Sequence, residues 1–482
     1  MARTRAAVVA GAAGLIALVL LSGGTRADPR TPPALAGLPP PFLGTAVVGS
    51  GHRIEAVDAY GDVVGLWVPG PAGRSLIRNS ADRQAAGSVP ADTGIVARIR
   101  GPRRGGSVPL WEADSVKQRY LPGTNVLRTV ARLGGRKAVI VRSVGGPGAA
   151  RADRRWLGRA RPLGGAAPGW ARAMYRRSLL VLRALTDRRS GAVAAGAREG
   201  WSYVWPRDAS AAAIAFASAG YRAAARRVAR FLLGLDLDAA ARFRGTGEPV
   251  PGRGPQGDAT GWVAAAARAT GLPPPQGAPA WRDRADYQEG EPGDFLGNAL
   301  ASAALDGPRN DAYRPKSGRR RQEGEIAAAF GGPDGLVRRA GEPGSGLDSA
   351  AAWAVRPFPH LHLFPLVRRT LLRLAAHGTR YGIVPSEGWS GGSDPWTAPT
   401  AWTAWSFAAL ASAEPRRSRG TALRERRAAL RLIADLRRAA TPLGLLPERV
   451  DARSGVPRST TPLAWSHAFA ILALRELWPR SG

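Results

Sequence analysis

Apolar residues from about Leu43 to Gly165 come in short β-branched or alternating runs, among them TAVVGS, DVVGLWV, GIVARIR and KAVIVRSV, separated by Gly, Pro and Asp turns. This spacing predicts a β-sandwich of moderate size. Arg, Gly and Pro crowd residues 150–169, which read as a linker. Beyond it the period lengthens. Tyr175, Leu179 and Leu182 fall at i, i+4 and i+7, and Val228, Phe231, Leu232 and Leu235 repeat the helical stripe. Alanine-rich helices are expected over Arg207–Ala219, Tyr221–Leu235, Thr260–Thr270, Phe295–Leu305, Pro359–His377, Thr400–Ala413 and Thr421–Ala440. A final helix is expected with Thr461 as N-cap and Pro462 as its first residue.

An internal repeat organises the helical part. GIVPSE (Gly382–Glu387) followed by TAPTAW (Thr397–Trp402) parallels GLLPE (Gly444–Glu448) followed by TPLAW (Thr461–Trp465). The offset is 62 residues at the glycines and 63 at the tryptophans, which suits a helical hairpin plus a long loop. Hairpins repeated around an axis make a toroid, and residues 166–482 have room for about six pairs. The repeat places Glu387 and Glu448 in similar loops at one end of it.

The N-terminus has the layout of an export signal: Arg3 and Arg5, the apolar run Ala6–Leu21, then small and polar residues to Ala27. The run has a length shared by cleaved signals and membrane anchors. The expected organisation is therefore an export signal or N-terminal membrane anchor over 1–27, a β-sandwich over 28–165 and a helical domain over 166–482. The body is expected outside the cytoplasmic membrane, either extracellular or anchored to its outer face.

Composition narrows the chemistry. The formal charge of +33 would ordinarily point to nucleic acid, but only Lys117, Lys137 and Lys316 among 69 basic residues are lysine. Arginine spread through an Ala-, Gly- and Pro-rich chain is a compositional bias rather than a binding face, and no specific nucleic acid is expected. The dense cluster Arg314–Arg321 lacks interleaved aromatics and reads as a solvated loop. With no cysteine, disulfides, thiol catalysis and cysteine-bound metals are excluded. His360 and His362 form an HxH pair without further ligands, so no metal is expected there.

Carboxylates and aromatics gather at loop-to-helix junctions. Trp201, Tyr203 and Trp205 alternate and run into Arg207 and Asp208 at the start of a helix. Aromatic faces suit the C–H face of a sugar, and an Arg-Asp pair supplies donors and acceptors for its hydroxyls. Asp258 precedes the helix carrying Trp262, and DYQE (Asp286–Glu289) precedes another. Pro447 stiffens the backbone just before Glu448.

These segments together resemble glycoside hydrolase family 15, the glucoamylase, glucodextranase and bacterial trehalase group. The likeness runs from about Thr45 to Leu477 and rests on QRYLPGTNVLRT (Gln118–Thr129), SLLVLRALTDRRSGAVAA into YVWPRDAS (Ser178–Ser210), GGSDPWTAPTAW (Gly391–Trp402), and GLLPERVDARSG with TPLAWSHA (Gly444–Ala468). The resemblance implies an N-terminal β-sandwich followed by an (α/α)6 barrel, and an exo-acting, inverting α-glucoside hydrolase. It implies Glu448 as general base, with Arg449 where the family has Gln. It implies Glu289 as general acid, with Gln288 where Trp is usual and Gly290 where some members carry a second carboxylate. Tyr203, Trp205, Arg207 and Asp208 match the segment holding the nonreducing-end glucose, Trp465 matches an aromatic near the base, and Asp258, Arg380 and Glu387 fit sugar-binding positions. The expected partner is an α-linked glucose oligosaccharide or polysaccharide, with no cofactor and a monomeric chain.

Three readings compete. Gly388–Gly392 satisfies GxSxG, and Asp451 and His467 follow in α/β-hydrolase order, but a Pro-containing loop precedes Ser390 and no helix follows directly. The altered acid segment suits an exported carbohydrate-binding protein that has lost hydrolysis. The basic composition suits an envelope protein holding an anionic polymer.

Overall fold

The computed structural model describes residues 44–68, 72–78, 95–100, 106–198, 200–275, 281–288, 290–306, 316–413 and 418–480. The signal or anchor segment 1–27, the start of the Arg314–Arg321 cluster and Glu289 lie outside them.

Strands β1 (Gly44–Gly49), β2 (Ile54–Asp58), β3 (Val63–Val68) and β4 (Arg74–Arg78) form an antiparallel sheet in sequence order. A ribbon of β5 (Arg98–Arg100) and β6 (Ser107–Pro109) follows, then a second meander of β7 (Ser115–Tyr120), β8 (Leu127–Leu133) and β9 (Arg136–Arg142). Side chains tie the two meanders together. Tyr120 donates its hydroxyl to the Val47 carbonyl at 2.8 Å and accepts the Val47 N–H at 2.9 Å. Gln118 donates to the Asp58 carbonyl, and Arg142 to that of Gly61. Val47, Val48, Ile54 and Trp67 share one continuous core with the helices. A smaller core around Tyr60, Ile99, Leu110 and Ala131 fills the space under the second meander.

The segment read as a linker is in part a helix, α1 (Ala149–Leu157). Its Asp153 takes the Arg183 guanidinium at 2.7 Å and the Asn125 N–H at 2.7 Å, so a buried carboxylate satisfied from two sides fixes it to the body.

The helical part comprises α2 (Gly169–Leu185), α3 (Pro206–Ser218), α4 (Arg222–Leu233), α5 (Ala259–Thr270), α6 (Leu296–Ala303), α7 (Lys316–Phe330), the 3-10 segment Ser349–Ala354, α8 (Phe364–Ala376), α9 (Thr397–Ala413), α10 (Arg419–Ala439) and α11 (Ala464–Leu477). Six elements close an inner ring: α3 packs on α5, α5 on α6, α6 on the 3-10 segment, that segment on α9, α9 on α11, and α11 back on α3. Outside it, α4 touches α3 and α5, α7 touches α6, α8 touches the 3-10 segment, α10 touches α9 and α11, and α2 touches α11. This is the mainly helical (α/α)6 architecture. Six regular helix pairs were expected. Among the described residues the outer layer has five helices, and the fourth inner position is a single 3-10 segment.

Position in the ring follows from residue pattern. Every residue of α9 from Thr397 to Leu410 is buried, as suits a helix small or apolar all round. By contrast, α10 buries a stripe through Ala428, Ala429, Leu432, Ile433 and Leu436 and exposes arginines; Ser418 caps its start by accepting the Thr421 N–H. Small residues let inner elements approach closely. At Gly261 a Cβ would stand 2.2 Å from the Ala301 carbonyl oxygen, so α5 and α6 meet backbone to backbone there. The axis is plugged by aromatics: Trp262 meets Trp353 edge to face at 5.2 Å, Trp353 meets Trp402 at 5.4 Å, and Trp402 meets Phe469 at 5.5 Å. Such pairs contribute about 0.5–1.5 kcal/mol each beyond area burial.

Candidate active site

The loops entering the inner ring converge on one rim. There a cavity of about 270 Å³ is lined by Trp205, Arg207 and Asp208 at the start of α3, Gln256 ahead of α5, Tyr287 and Gln288 ahead of α6, Trp396 ahead of α9, and Trp465 at the start of α11. Trp201, Arg242, Arg253 and Glu448 complete its wall. Trp353 and Trp402 stand beneath, packed on Tyr287 at 5.4 Å each.

Glu448 is held by its backbone. Its N–H donates to the Thr460 carbonyl and its own carbonyl accepts the Thr397 N–H, each at 2.9 Å. Leu445 and Leu446, fully buried, anchor the lead-in, and the Leu446 N–H is accepted by the His467 imidazole at 3.0 Å. The carboxylate accepts from the Ser459 hydroxyl and the Trp201 indole. Burial pushes its pKa above the usual value; these two donors and the Arg449 and Arg253 charges oppose that in part. The helix after this loop starts two residues later than expected. Thr461 and Pro462 are joined by a cis peptide, Leu463 is the N-cap and the Ala464 N–H donates to the Ala195 carbonyl. The segment is tied down by tertiary contacts rather than by a threonine cap.

Arg207, 4% exposed, is the hub of the floor. One terminal nitrogen reaches Gln256 Oε1 and Asp258 Oδ2 at 3.0 Å each, the other reaches Asp208 Oδ2 at 3.4 Å, and the guanidinium lies 4.6 Å from the Trp465 ring centroid. Asp258 heads α5 but spends its side chain on Arg207 rather than on a cap. Asp208 is pushed up to about 7, first by burial and then by the Glu448 and Asp258 charges, with Arg207 opposing. The cavity therefore holds two carboxyls whose ionisation is opposed by burial.

The segment before Glu289 is anchored on both sides. Asp286 pairs with Arg338 at 3.2 Å and accepts the Gln288 N–H at 2.8 Å, while its carbonyl accepts from Gln256. Tyr287 donates to Asp348 Oδ1 at 2.8 Å. Gln288 accepts from the Ser386 hydroxyl at 2.6 Å and turns its amide nitrogen toward Asp348 at 3.5 Å. Asp348 is fully buried and its pKa is pushed up to about 7 by that burial.

Of the positions singled out from sequence, Trp205, Arg207, Asp208, Glu448 and Trp465 line the cavity, and Asp258 supports it through Arg207. Tyr203 stands behind Arg242, whose guanidinium lies 4.9 Å from the Tyr203 centroid and 5.6 Å from that of Trp205. Two of the aromatic faces expected to meet a sugar are thus covered by a cation. Arg380 is exposed and stacks on its neighbour Tyr381, and Glu387 turns to Arg373 and His377 at 3.8 and 3.6 Å; neither lines the cavity. Of the chain's fifteen tryptophans, Trp262, Trp353 and Trp402 form the buried plug.

Sequence reasoning missed Arg242, Arg253, Trp396, Ser459 and Asp348. Trp396 sat in the motif GGSDPWTAPTAW and was legible there. Arg242 and Arg253 carried no signal in a chain this rich in arginine, and Asp348 was one acid in a Gly-rich stretch. Among the described residues no group of three His, Asp or Glu side chains is arranged to hold a metal ion, and no helix is long and apolar enough to cross a membrane.

No protein-family model matches the chain, and no curated protein matches it. Solved structures do. A glycosidase in its wild-type form is similar over 67% of this chain and 98% of its own, at 20% identity and a TM-score of 0.51. The glucoamylase from Saccharomycopsis fibuligera is similar over 64% of this chain and 94% of its own, at 14% identity and a TM-score of 0.52. At such identities the likeness is one of backbone, and the backbone it identifies is the glucoamylase-like (α/α)6 fold.

Proposed function

We propose that the chain is a glycoside hydrolase that removes single sugar units from the end of an α-linked glycoside with inversion at the anomeric carbon. The observation that carries this is Glu448: a half-buried carboxylate, fixed by both backbone groups, opening into an aromatic-walled cavity at the rim of the inner ring. A cavity of about 270 Å³ lies at the small end of ligand sites, typically ~300–1,000 Å³, and suits one sugar ring rather than a long chain. Glu448 acts as general base on a water at the anomeric carbon, and Glu289 is the acid that protonates the glycosidic oxygen. In inverting enzymes the two carboxyls stand roughly 6.5–9.5 Å apart to admit that water. Arg207, with Asp208 and Asp258, grips the sugar hydroxyls. The same reading puts the body outside the cytoplasmic membrane, with 1–27 as signal or anchor and 28–165 and 166–482 as its two domains.

Release of glucose from maltooligosaccharides, isomaltooligosaccharides and trehalose tests this, with Glu289→Gln alongside. Release abolished by the substitution is expected. Release unaffected by it would remove Glu289 as the acid. A second reading, a binding protein that has lost hydrolysis, is favoured by Gln288, which occupies the cavity wall and is held there by Ser386. Sugar binding with no release from any substrate would establish it.

A further inference from the structure

Three arginines line the candidate cavity, and they differ in how they are satisfied. Arg207 reaches Asp258 at 3.0 Å and Asp208 at 3.4 Å. Arg242 and Arg253 have no ion pair among the described residues, and the Arg242 Nε is buried without a hydrogen-bond partner. Arg242 is half-buried and stacks on Tyr203 and Trp205, which fixes its planar fork beside the cavity. Burial lowers its pKa, and the nearby Arg253 charge adds to that. Among the described residues neither guanidinium has a carboxylate within ion-pair distance, and stacking on two aromatic rings holds Arg242 in place without neutralising it.

We propose that Arg242 and Arg253 form the recognition site for an acidic group on the sugar, so that the cavity takes a glycosyl unit bearing a carboxylate or phosphate ester in preference to a plain hexose. This rests on the carbohydrate reading of the cavity. A guanidinium fork matches a carboxylate or phosphate with two parallel hydrogen bonds. The anions facing such a group are Glu448 and Asp208. Arg253 acts on Glu448 as well, and Asp208, raised to about 7, is uncharged in acid. Both arginines would then serve one ligand, Arg242 from the aromatic wall and Arg253 from the mouth.

Titration calorimetry of the full chain with D-glucuronate, D-glucose 6-phosphate and D-glucose tests it. At least one acidic sugar is expected to bind ~10-fold or more tighter than glucose, a difference that two charge-assisted hydrogen bonds readily supply. The preference should shrink to about twofold in Arg242→Gln and in Arg253→Gln, as expected when the charged donors are removed. Arg253 is exposed, so its replacement keeps the fold and guards against a destabilised Arg242 variant. The two acidic probes separate carboxylate from phosphate recognition. Equal affinity for glucose, no binding of either acidic sugar, or a preference that survives both substitutions overturns the proposal. Cleavage is read separately on 4-nitrophenyl α-glucoside and α-glucuronide. Acid-selective binding without cleavage removes the hydrolase reading and keeps the arginine site, whereas cleavage with no acid preference in binding does the reverse.

Discussion

Two loops of the repeat begin alike and end differently. In Pro447-Glu448-Arg449 the residue after proline turns into the cavity; in Pro385-Ser386-Glu387 the residue after proline also turns inward, but it is Ser386, bonded to Gln288. The next residue faces away in both. Arg449 lies over Trp389 at 5.4 Å, and Glu387 reaches Arg373 and His377 near the end of α8. Extended backbone alternates its side chains, so a carboxylate one position further along lies on the opposite face. Glu387 is therefore the counterpart of Arg449, and Ser386 that of Glu448. What repeats is a backbone position, and only one copy places a carboxylate on it.

The largest test of this contrast is turnover. Glu448→Gln is expected to reduce hydrolysis by on the order of a hundred- to ten-thousandfold with the thermal unfolding midpoint little changed, since the lost group is a base and not a core contact. Near-normal turnover would remove it as the base. The inner position of the other loop predicts an effect on packing: Ser386→Ala leaves the Gln288 carbonyl without its donor and should cost about 1–2 kcal/mol in chemical denaturation. No measurable loss would mean that the two inner positions are not equivalent.

Local environment separates the loops further. A base must be ionised, so activity falls as pH drops through the Glu448 pKa, and burial has already moved that limb above the ordinary glutamate range. Ser459→Ala removes a donor to the ionised carboxylate. The acid limb of kcat/KM should move to higher pH, and an unmoved or lowered limb would contradict the bond. The smallest effect belongs to the outer carboxylate. Its contacts at 3.6 and 3.8 Å are to partly exposed partners, so Glu387→Gln should change stability by less than about 1 kcal/mol and turnover by less than about twofold.

The same contrast marks how far sequence carried. The succession of strands and then helices, the toroid and the cluster of Arg207, Asp208, Glu448 and Trp465 were legible, because each rests on periodicity or on several residues close in sequence. Glu387 stands one position past the counterpart of Glu448, because the two loops align at their glycines and prolines and Ser386 takes the place of the glutamate. Thr461-Pro462 has the chemistry of a helix start, yet tertiary bonds from Ala195 and Leu446 set the helix at Ala464. The helix over Ala149–Leu157 was hidden by Gly and Arg and is secured by Asp153, a contact 30 residues distant in Arg183. Arg242 shields Tyr203 for a reason of the same kind: stacking across loops is a property of the fold.

The most direct test of the central claim is the anomeric form of the first sugar released, followed by NMR with neutral and acid-substituted α-glucosides. Attack by a water activated by Glu448 from the face opposite the departing group predicts the β-anomer first, followed by slow mutarotation. First release of the α-anomer, or no release from any of these substrates by the folded protein, would contradict it.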